Sequence, residues 1–152
     1  MPGLLSTNQV LIIYLWGCMA QKKLERFAAI KTFSNVLEYP VGMKGKWNVF
    51  FKNENPILLE LACGRGEYTV GMAHLFPLQN FLGVDVKGNR MYIGAKKCIT
   101  EKIENAAFLR TQIEKLTDYF AEAEVDEIWI TFPDPHPGEK NSNKRLTSPW
   151  FL

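Results

Sequence analysis

Apolar and polar residues follow one another along the chain in blocks that predict strands alternating with helices. Four largely apolar runs are typical of strands in a buried sheet: residues 57–61, 80–86, 106–110 and 127–132. Helical spacing of apolar residues fills the intervals between them: residues 67–76, 89–102 and 113–120. Pro77 ends the first of these helices, and Asn89 is predicted to cap the second. A shorter apolar segment, residues 47–51, is expected to lie against the core.

Strands that alternate with helices predict an α/β fold with a parallel sheet, because each helix carries the chain back to begin the next strand. Three strand–helix units and a fourth strand make up only part of a doubly wound, Rossmann-like sheet. We therefore expect the sheet to be incomplete at its C-terminal side, as in the front part of a larger domain.

A glycine turn follows the first predicted strand and gives the first indication of function. The sequence there is Glu-Leu-Ala-Cys-Gly-Arg-Gly at residues 60–66, and the second strand carries Asp85 at its end. Gly64 and Gly66 let the backbone approach a ligand closely, and an acid at the end of the second strand accepts hydrogen bonds from ribose hydroxyls. The pattern predicts a nucleoside site at the carboxyl ends of the strands.

The charge of this turn favours one cofactor over another. A dinucleotide-binding turn has a third glycine, and Thr69 stands at its place. The carboxylate of Glu60 would repel a pyrophosphate but attracts a cation. S-adenosylmethionine carries an ammonium and a sulfonium group and no phosphate. We therefore expect S-adenosylmethionine rather than NAD at this site.

Two further polar residues are predicted at the same edge of the sheet. Gln112 follows the third strand, and Asp134 follows the fourth strand between Pro133 and Pro135. Flanking prolines fix the backbone and present the carboxylate rigidly. A carboxylate can bind the edge of a nucleobase, and cations can bind phosphodiester groups. The cations that follow in the sequence are Lys140, Lys144 and Arg145. Each residue alone could serve a cap, a turn or a solvated loop, but their convergence on one edge favours a binding site.

The composition indicates one globular domain with an uneven charge. The chain has 152 residues, 47% of them hydrophobic, and a net charge of +2. Residues 19–52 carry seven basic and two acidic side chains, a local net charge of +5, and form either a solvated arm or an arm that binds a polyanion. The three cysteines and two histidines lack the spacing of metal ligands, so we expect a reducing, cytoplasmic location and no metal.

Four segments together resemble the bacterial tRNA (guanine-N7)-methyltransferase family. They are Leu-Leu-Glu-Leu-Ala-Cys-Gly-Arg-Gly-Glu-Tyr-Thr at residues 58–69, Phe-Leu-Gly-Val-Asp-Val-Lys-Gly at 81–88, Asp-Glu-Ile-Trp-Ile-Thr-Phe-Pro-Asp-Pro at 126–135 and Lys-Arg-Leu-Thr at 144–147. Phe-Pro-Asp-Pro after a strand is specific to this family, whereas many methyltransferases share the glycine turn. The resemblance extends from about residue 22 to the end of the chain.

The resemblance implies a class I S-adenosylmethionine-dependent methyltransferase fold and methylation of guanine N7 in the variable loop of tRNA. It implies that Glu60 and Asp85 contact the cofactor and that Gln112, at a position that is often Asp, lies near the adenine. Asp134 matches the residue usually assigned the catalytic role, and we expect it to contact the cofactor as well. The implied partners are S-adenosylmethionine and tRNA, with no membrane, and the full-length enzyme is expected to be a cytoplasmic monomer.

The sequence departs from the family pattern at several positions. Ala62 stands where glycine is usual. Gly138 and Glu139 lie near the place of an expected substrate-binding lysine, for which Lys140 is the expected substitute. The family continues beyond Leu152 into a later aspartate and a Thr-Arg-Phe-Glu segment that help to bind guanine, so we expect this chain to lack part of the substrate site.

The beginning of the chain is expected to be foreign to the domain. The apolar run at residues 10–16 is too short to span a bilayer, and no basic residue precedes it as in a secretory signal. The composition changes abruptly at Met19, which we interpret as the natural start. The predicted organisation is a misassigned extension (1–18), a basic N-terminal arm (19–52) and the N-terminal part of the methyltransferase domain (53–152).

Two other functions stay open at this point. An amino methyltransferase acting on another nucleic acid would also carry Asp-Pro in this loop, although His136 stands where its Pro-Pro-aromatic sequence would continue. A non-catalytic fragment that binds the cofactor or RNA would have the same turn and the same basic residues. Detection of N7-methylguanosine in tRNA separates both from the first interpretation.

Overall fold

The computed structural model describes residues 21–133 and 135–149. The described part of the first helix, α1, covers residues 21–30. The helices that follow are α2 (Trp47–Phe51), α3 (Glu67–Leu75) and α4 (Gly88–Glu101). The strands are β1 (Val36–Glu38), β2 (Ile57–Leu61), β3 (Asn80–Asp85), β4 (Ala106–Arg110) and β5 (Glu127–Trp129). The structure also has two 3-10 helices, at Ile113–Asp118 and Glu139–Lys144.

The strands form one parallel five-stranded sheet in the order β1-β4-β3-β2-β5. From β2 the chain moves outward through β3 to β4, and it then returns to add β5 on the other side of β2. Ligands in such sheets bind outside the carboxyl ends of the strands, where the strand order reverses. Glu60, near the end of β2, pairs in register with Gly83 of β3 and with Trp129 of β5. The predicted α/β fold with a parallel sheet is confirmed.

Each face of the sheet buries its own apolar cluster. Helices α3 and α4 cover one face, where Val70 and Phe108 belong to the buried cluster. Helix α2 and the first 3-10 helix cover the other face. There Trp47 is fully buried, stacks on Phe120 with ring centroids 5.2 Å apart, and donates its Nε1–H to the Tyr119 carbonyl at 2.9 Å. The expectation that residues 47–51 lie against the core is confirmed.

Strand β5 is shorter than the predicted strand at residues 127–132. The register of β5 against β2 ends at the pair Glu60–Trp129. The next residue of β5 would face Leu61, and the chain turns away from the sheet directly after it, because Ala62 adopts a left-handed φ of 57°. The ladder therefore ends one residue before β2 does, and residues beyond 130 have no residue of β2 opposite them.

The start of α4 differs from the prediction as well. Asn89 lies inside the helix, so the prediction that it caps α4 is wrong, and Lys87 occupies the N-cap without a side-chain cap. The cap-like contact comes from the end of β3, where Oδ1 of Asp85 accepts a hydrogen bond from the Lys87 N–H at 2.8 Å. A carboxylate at a helix N-terminus stabilises the unpaired N–H groups there.

Strand β1 was not predicted from the sequence. It pairs with β4 from Val36 opposite Phe108 to Glu38 opposite Arg110, and an ion pair joins the last two side chains. The predicted boundary between the basic arm and the methyltransferase domain, at residue 52, stays a prediction. Within the arm the structure has α1, β1 and α2. The predicted extension, residues 1–18, lies outside the described residues.

Across residues 21–133 and 135–149, every helix falls short of the length and hydropathy that crossing a bilayer requires.

Candidate active site

A cavity opens at the carboxyl ends of β3 and β4, where the predicted site was placed. Its volume is about 430 Å³, within the usual range of about 300–1,000 Å³ for cofactor pockets. Among the predicted site residues, Asp85, Gln112 and Lys144 line it. Phe132 and His136, which flank the Pro-Asp-Pro segment, line it as well. The cavity therefore brings together residues that lie about 60 positions apart in the sequence.

Asp85 ties two loops of the site together. Its side chain is buried, Oδ2 accepts a hydrogen bond from the Gly64 N–H at 2.9 Å, and Oδ1 accepts one from the Lys87 N–H. Each carboxylate oxygen has two lone pairs, so the group retains acceptor capacity towards the cavity. Asp85 thus meets the requirement for a ribose-binding acid while its orientation is fixed by backbone donors.

The two glycines of the turn serve different purposes in the structure. Both have left-handed backbones, with φ of 57° at Gly64 and 70° at Gly66. A Cβ at Gly66 would overlap the ring of Phe108, whereas the space beside Gly64 is open apart from the Ala62 carbonyl at 4.0 Å. Gly66 is therefore required by helix–sheet packing, and Gly64 is the position where a ligand can approach the backbone.

Glu60 has three hydrogen-bond donors around one buried carboxylate. Oε2 accepts from the Thr69 N–H at 2.9 Å and from the Thr69 hydroxyl at 2.6 Å, and Oε1 accepts from the Thr131 hydroxyl at 3.1 Å. The carboxylate thereby joins the end of β2 to α3 and to the segment after β5. Glu60 lies outside the lining of the cavity, and its predicted contact with the cofactor stays a prediction.

The cysteine in the glycine turn is held in its neutral form. Burial raises the pKa of the Cys63 thiol well above its usual value, and the negative charges of Asp85 and Glu60 raise it further. A protonated, buried thiol is a poor nucleophile and a poor metal ligand. In the described parts of the chain, no group of His, Cys, Asp and Glu side chains is placed to hold a metal ion.

The Pro-Asp-Pro segment is framed by described residues, although Asp134 itself lies outside them. Arg145 donates from Nε and Nη2 to the His136 carbonyl, both at 3.3 Å, so its guanidinium supports the loop that follows the segment. Lys140 lies in the second 3-10 helix and is exposed. The roles of Asp134 in catalysis and of Lys140, Lys144 and Arg145 in substrate binding stay predictions.

Sequence reasoning missed the polar groups that support the site. Thr69 was noted only as the missing third glycine, and Thr131 was read as part of a strand. Both donate to Glu60 in the structure. The hydroxyl of Thr111, at the end of β4, is fully buried and has no hydrogen-bond partner among the described residues. A polar residue just past the carboxyl end of a strand was the available signal for Thr111 and Thr131, whereas Thr69 lies within α3 and had no such signal.

Comparisons with known proteins agree with the geometry. The model of a family described as "Putative methyltransferase" matches residues 54–152. A tRNA (guanine-N(7)-)-methyltransferase from Bacteroides fragilis is 51% identical over 143 residues, which cover 88% of this chain and 56% of the relative. Enzymes with the same name from Porphyromonas gingivalis and Streptococcus thermophilus are 51% and 36% identical, over 81% and 77% of this chain and 54% and 55% of the relatives.

The chain thus spans just over half the length of the curated relatives it matches. Among solved structures, a 30S ribosomal A1408 methyltransferase from an uncultured bacterium is similar, with a TM-score of 0.50 and 19% identity. The match covers 60% of this chain and 44% of that one, and it supports the fold alone. The resemblance to tRNA (guanine-N7)-methyltransferases and the Rossmann-like methyltransferase fold are both confirmed.

Proposed function

The chain belongs to the family described as putative methyltransferases, and we propose that its activity is transfer of the methyl group of S-adenosylmethionine to guanine N7 in the variable loop of tRNA. The observation that carries the proposal is the cavity at the carboxyl ends of β3 and β4, which holds Asp85 and Gln112 together in a chain that is 51% identical to an enzyme named for this reaction. The proposal includes tRNA as the partner and a cytoplasmic location, with a monomeric state for the full-length enzyme.

The side chains in the cavity suit S-adenosylmethionine. Asp85 offers carboxylate oxygens to ribose hydroxyls, and Gln112 can both accept and donate a hydrogen bond, as an adenine edge requires. The carboxylates of Asp85 and of Glu60 beneath the turn can also pair with the sulfonium and ammonium groups of this cofactor. When bound, the cofactor supplies an electrophilic methyl group.

Guanine N7 has a free lone pair at neutral pH, so the residues of the site have no proton to remove. Their task is to align the base with the methyl carbon and to stabilise the charge that develops on the purine. We assign this task to Asp134, whose carboxylate can accept hydrogen bonds from guanine N1 and N2 and offset the positive charge. Lys140 and Lys144 are proposed to bind phosphate groups of the tRNA.

The test is methyl transfer by the full-length protein as its gene encodes it. Unmodified tRNA is incubated with methyl-labelled S-adenosylmethionine, and the nucleosides are separated and identified by mass spectrometry. N7-methylguanosine supports the proposal. A nucleoside methylated on an exocyclic amine instead indicates an amino methyltransferase, and cofactor binding without any methylated nucleoside indicates a non-catalytic module; either result overturns it.

A further inference from the structure

Two exposed aromatic side chains stand together, and one of them, Phe132, lines the cavity. Phe132, which follows β5 and lines the cavity, is 77% exposed, and Tyr68 in the first turn of α3 is 45% exposed. Their ring centroids are 5.7 Å apart and their planes meet at 59°. Exposed aromatic surface of this size beside a ligand cavity is unfavourable in water and is typical of a surface that receives a partner.

The same buried carboxylate positions both rings. Glu60 accepts a hydrogen bond from Thr131, the residue before Phe132, and two from Thr69, the residue after Tyr68. The backbone that carries each aromatic side chain is therefore held to the end of β2 by a direct contact. A surface fixed in this way binds with less loss of conformational freedom than two aromatic residues on a mobile loop would.

The charges of the cavity that Phe132 lines point to the chemistry of the partner. Lys87, Arg90 and Lys144 line the cavity that Phe132 shares, and they outnumber its two carboxylates, Asp85 and Glu114. Cations next to exposed aromatic rings are the arrangement by which proteins bind unpaired nucleotides, with phosphates on the cations and bases stacked on the rings. An apolar peptide would gain nothing from these cations.

We propose that Phe132, braced by the ring of Tyr68, forms a stacking platform for the unpaired guanine that is to be methylated. The proposal rests on the proposed function, since it names the part of the same site that holds the base. A purine has two flat faces for stacking, and a base on this platform lies at the mouth of the cavity, where it can reach the methyl donor.

The experiment measures RNA binding and cofactor binding separately in the full-length protein. Phe132→Leu removes the aromatic ring and keeps apolar volume, and Phe132→Tyr keeps the ring. The two probes are a tRNA with guanine at the target position and the same tRNA with an abasic site there. We expect the wild type to bind the guanine form about tenfold more tightly, Phe132→Leu to lose that difference, and Phe132→Tyr to keep it.

Helix α3 offers a matched control at its other end. Tyr68 and Phe76 are both 45% exposed, but only Tyr68 contacts Phe132. Tyr68→Leu should reduce the preference for the guanine form, and Phe76→Leu should leave it unchanged, with cofactor affinity constant in both. The platform is refuted if Phe132→Leu retains the full preference, or if it weakens binding of both tRNAs equally. Because these are binding measurements, they can succeed or fail independently of whether the wild type produces N7-methylguanosine.

Discussion

Glu60 shows how one buried side chain can hold separate parts of a site in register. Its three hydrogen bonds run to Thr69 and to Thr131, which lies 71 positions away in the sequence. Thr131 precedes the Phe-Pro-Asp-Pro segment by one residue, so the carboxylate fixes the point from which the proposed catalytic segment leaves the sheet. Thr131 is accordingly a positioning residue, and its loss should affect alignment rather than cofactor binding.

Thr131→Val replaces the hydroxyl with a methyl group of similar size. We expect turnover to fall about ten- to a hundredfold, because the segment after β5 loses its tether, while the cofactor dissociation constant stays unchanged. Thr131→Ser should restore turnover, and Thr100→Val, which removes a hydroxyl bonded only within α4, should have no effect. Steady-state kinetics and calorimetry measure the two quantities. An equal loss of turnover and cofactor affinity would assign Thr131 to cofactor binding instead.

Substitutions of the two aspartates of the site should affect different quantities, kcat for Asp134 and cofactor affinity for Asp85. Asp134→Asn removes the proposed charge next to the purine and should lower kcat about 10²–10³-fold with little change in cofactor affinity. Asp85→Asn should weaken cofactor binding about tenfold or more, because a charged acceptor is lost at a cavity wall. Glu122→Gln removes an exposed carboxylate that lies outside the cavity lining and serves as the control. Equal losses of kcat and affinity in Asp134→Asn would refute its catalytic assignment.

The polar residues at the ends of strands could be predicted from the sequence, but their hydrogen-bond partners could not. Asp85 and Gln112 were found because the end of an apolar run marks the sheet edge. The bonds from Thr69 and Thr131 to Glu60 depend on how β2, α3 and β5 come together, which spacing along the chain does not encode. Sequence pattern thus indicates which residues share an edge but not which of them bond to each other.

At the scale of elements, the limits of the buried strands could be predicted from the sequence better than those of the partly exposed ones. Strands β2 and β4 match their predicted limits, because strands covered on both faces form continuous apolar runs. Strand β1 was missed because it is a three-residue edge strand whose residues are only partly buried. The limits of α3 were predicted to within one residue from its helical spacing and from Pro77.

The packing of α3 against the sheet provides a test at this scale. Gly66→Ala places a methyl group on the ring of Phe108 in a left-handed backbone, and we expect it to lower the free energy of unfolding by about 1–3 kcal/mol or more. Gly71→Ala, in the middle of the same helix, meets open space and should raise it by up to about 1 kcal/mol. Urea unfolding followed by circular dichroism measures both. Similar stability changes in the two variants would contradict the assigned packing role.

At the scale of the whole molecule, the order of the strands determines where the site lies and which strand, β5, stands at one edge of the sheet. The reversal at β2 brings the turn after β2 and the segment after β5 to adjacent positions, and Ala62 of the turn and Phe132 of the segment both line the cavity at the ends of β3 and β4. In the described residues, β5 pairs with β2 alone. Its outer edge therefore carries unpaired backbone groups, and Ile128 on this strand is 57% exposed. An exposed apolar edge strand is a template for pairing with another chain.

We therefore expect the 152-residue chain to self-associate in solution through β5. The association should increase with concentration and be visible by sedimentation velocity. Ile128→Lys should suppress it, because a charge on an edge strand opposes pairing with a second copy. Val49→Lys provides the matched control, since Val49 is a β-branched residue that is 71% exposed on α2, away from the edge. A chain that sediments as a monomer over a wide concentration range, or an equal response of the two variants, would show that the β5 edge does not mediate association.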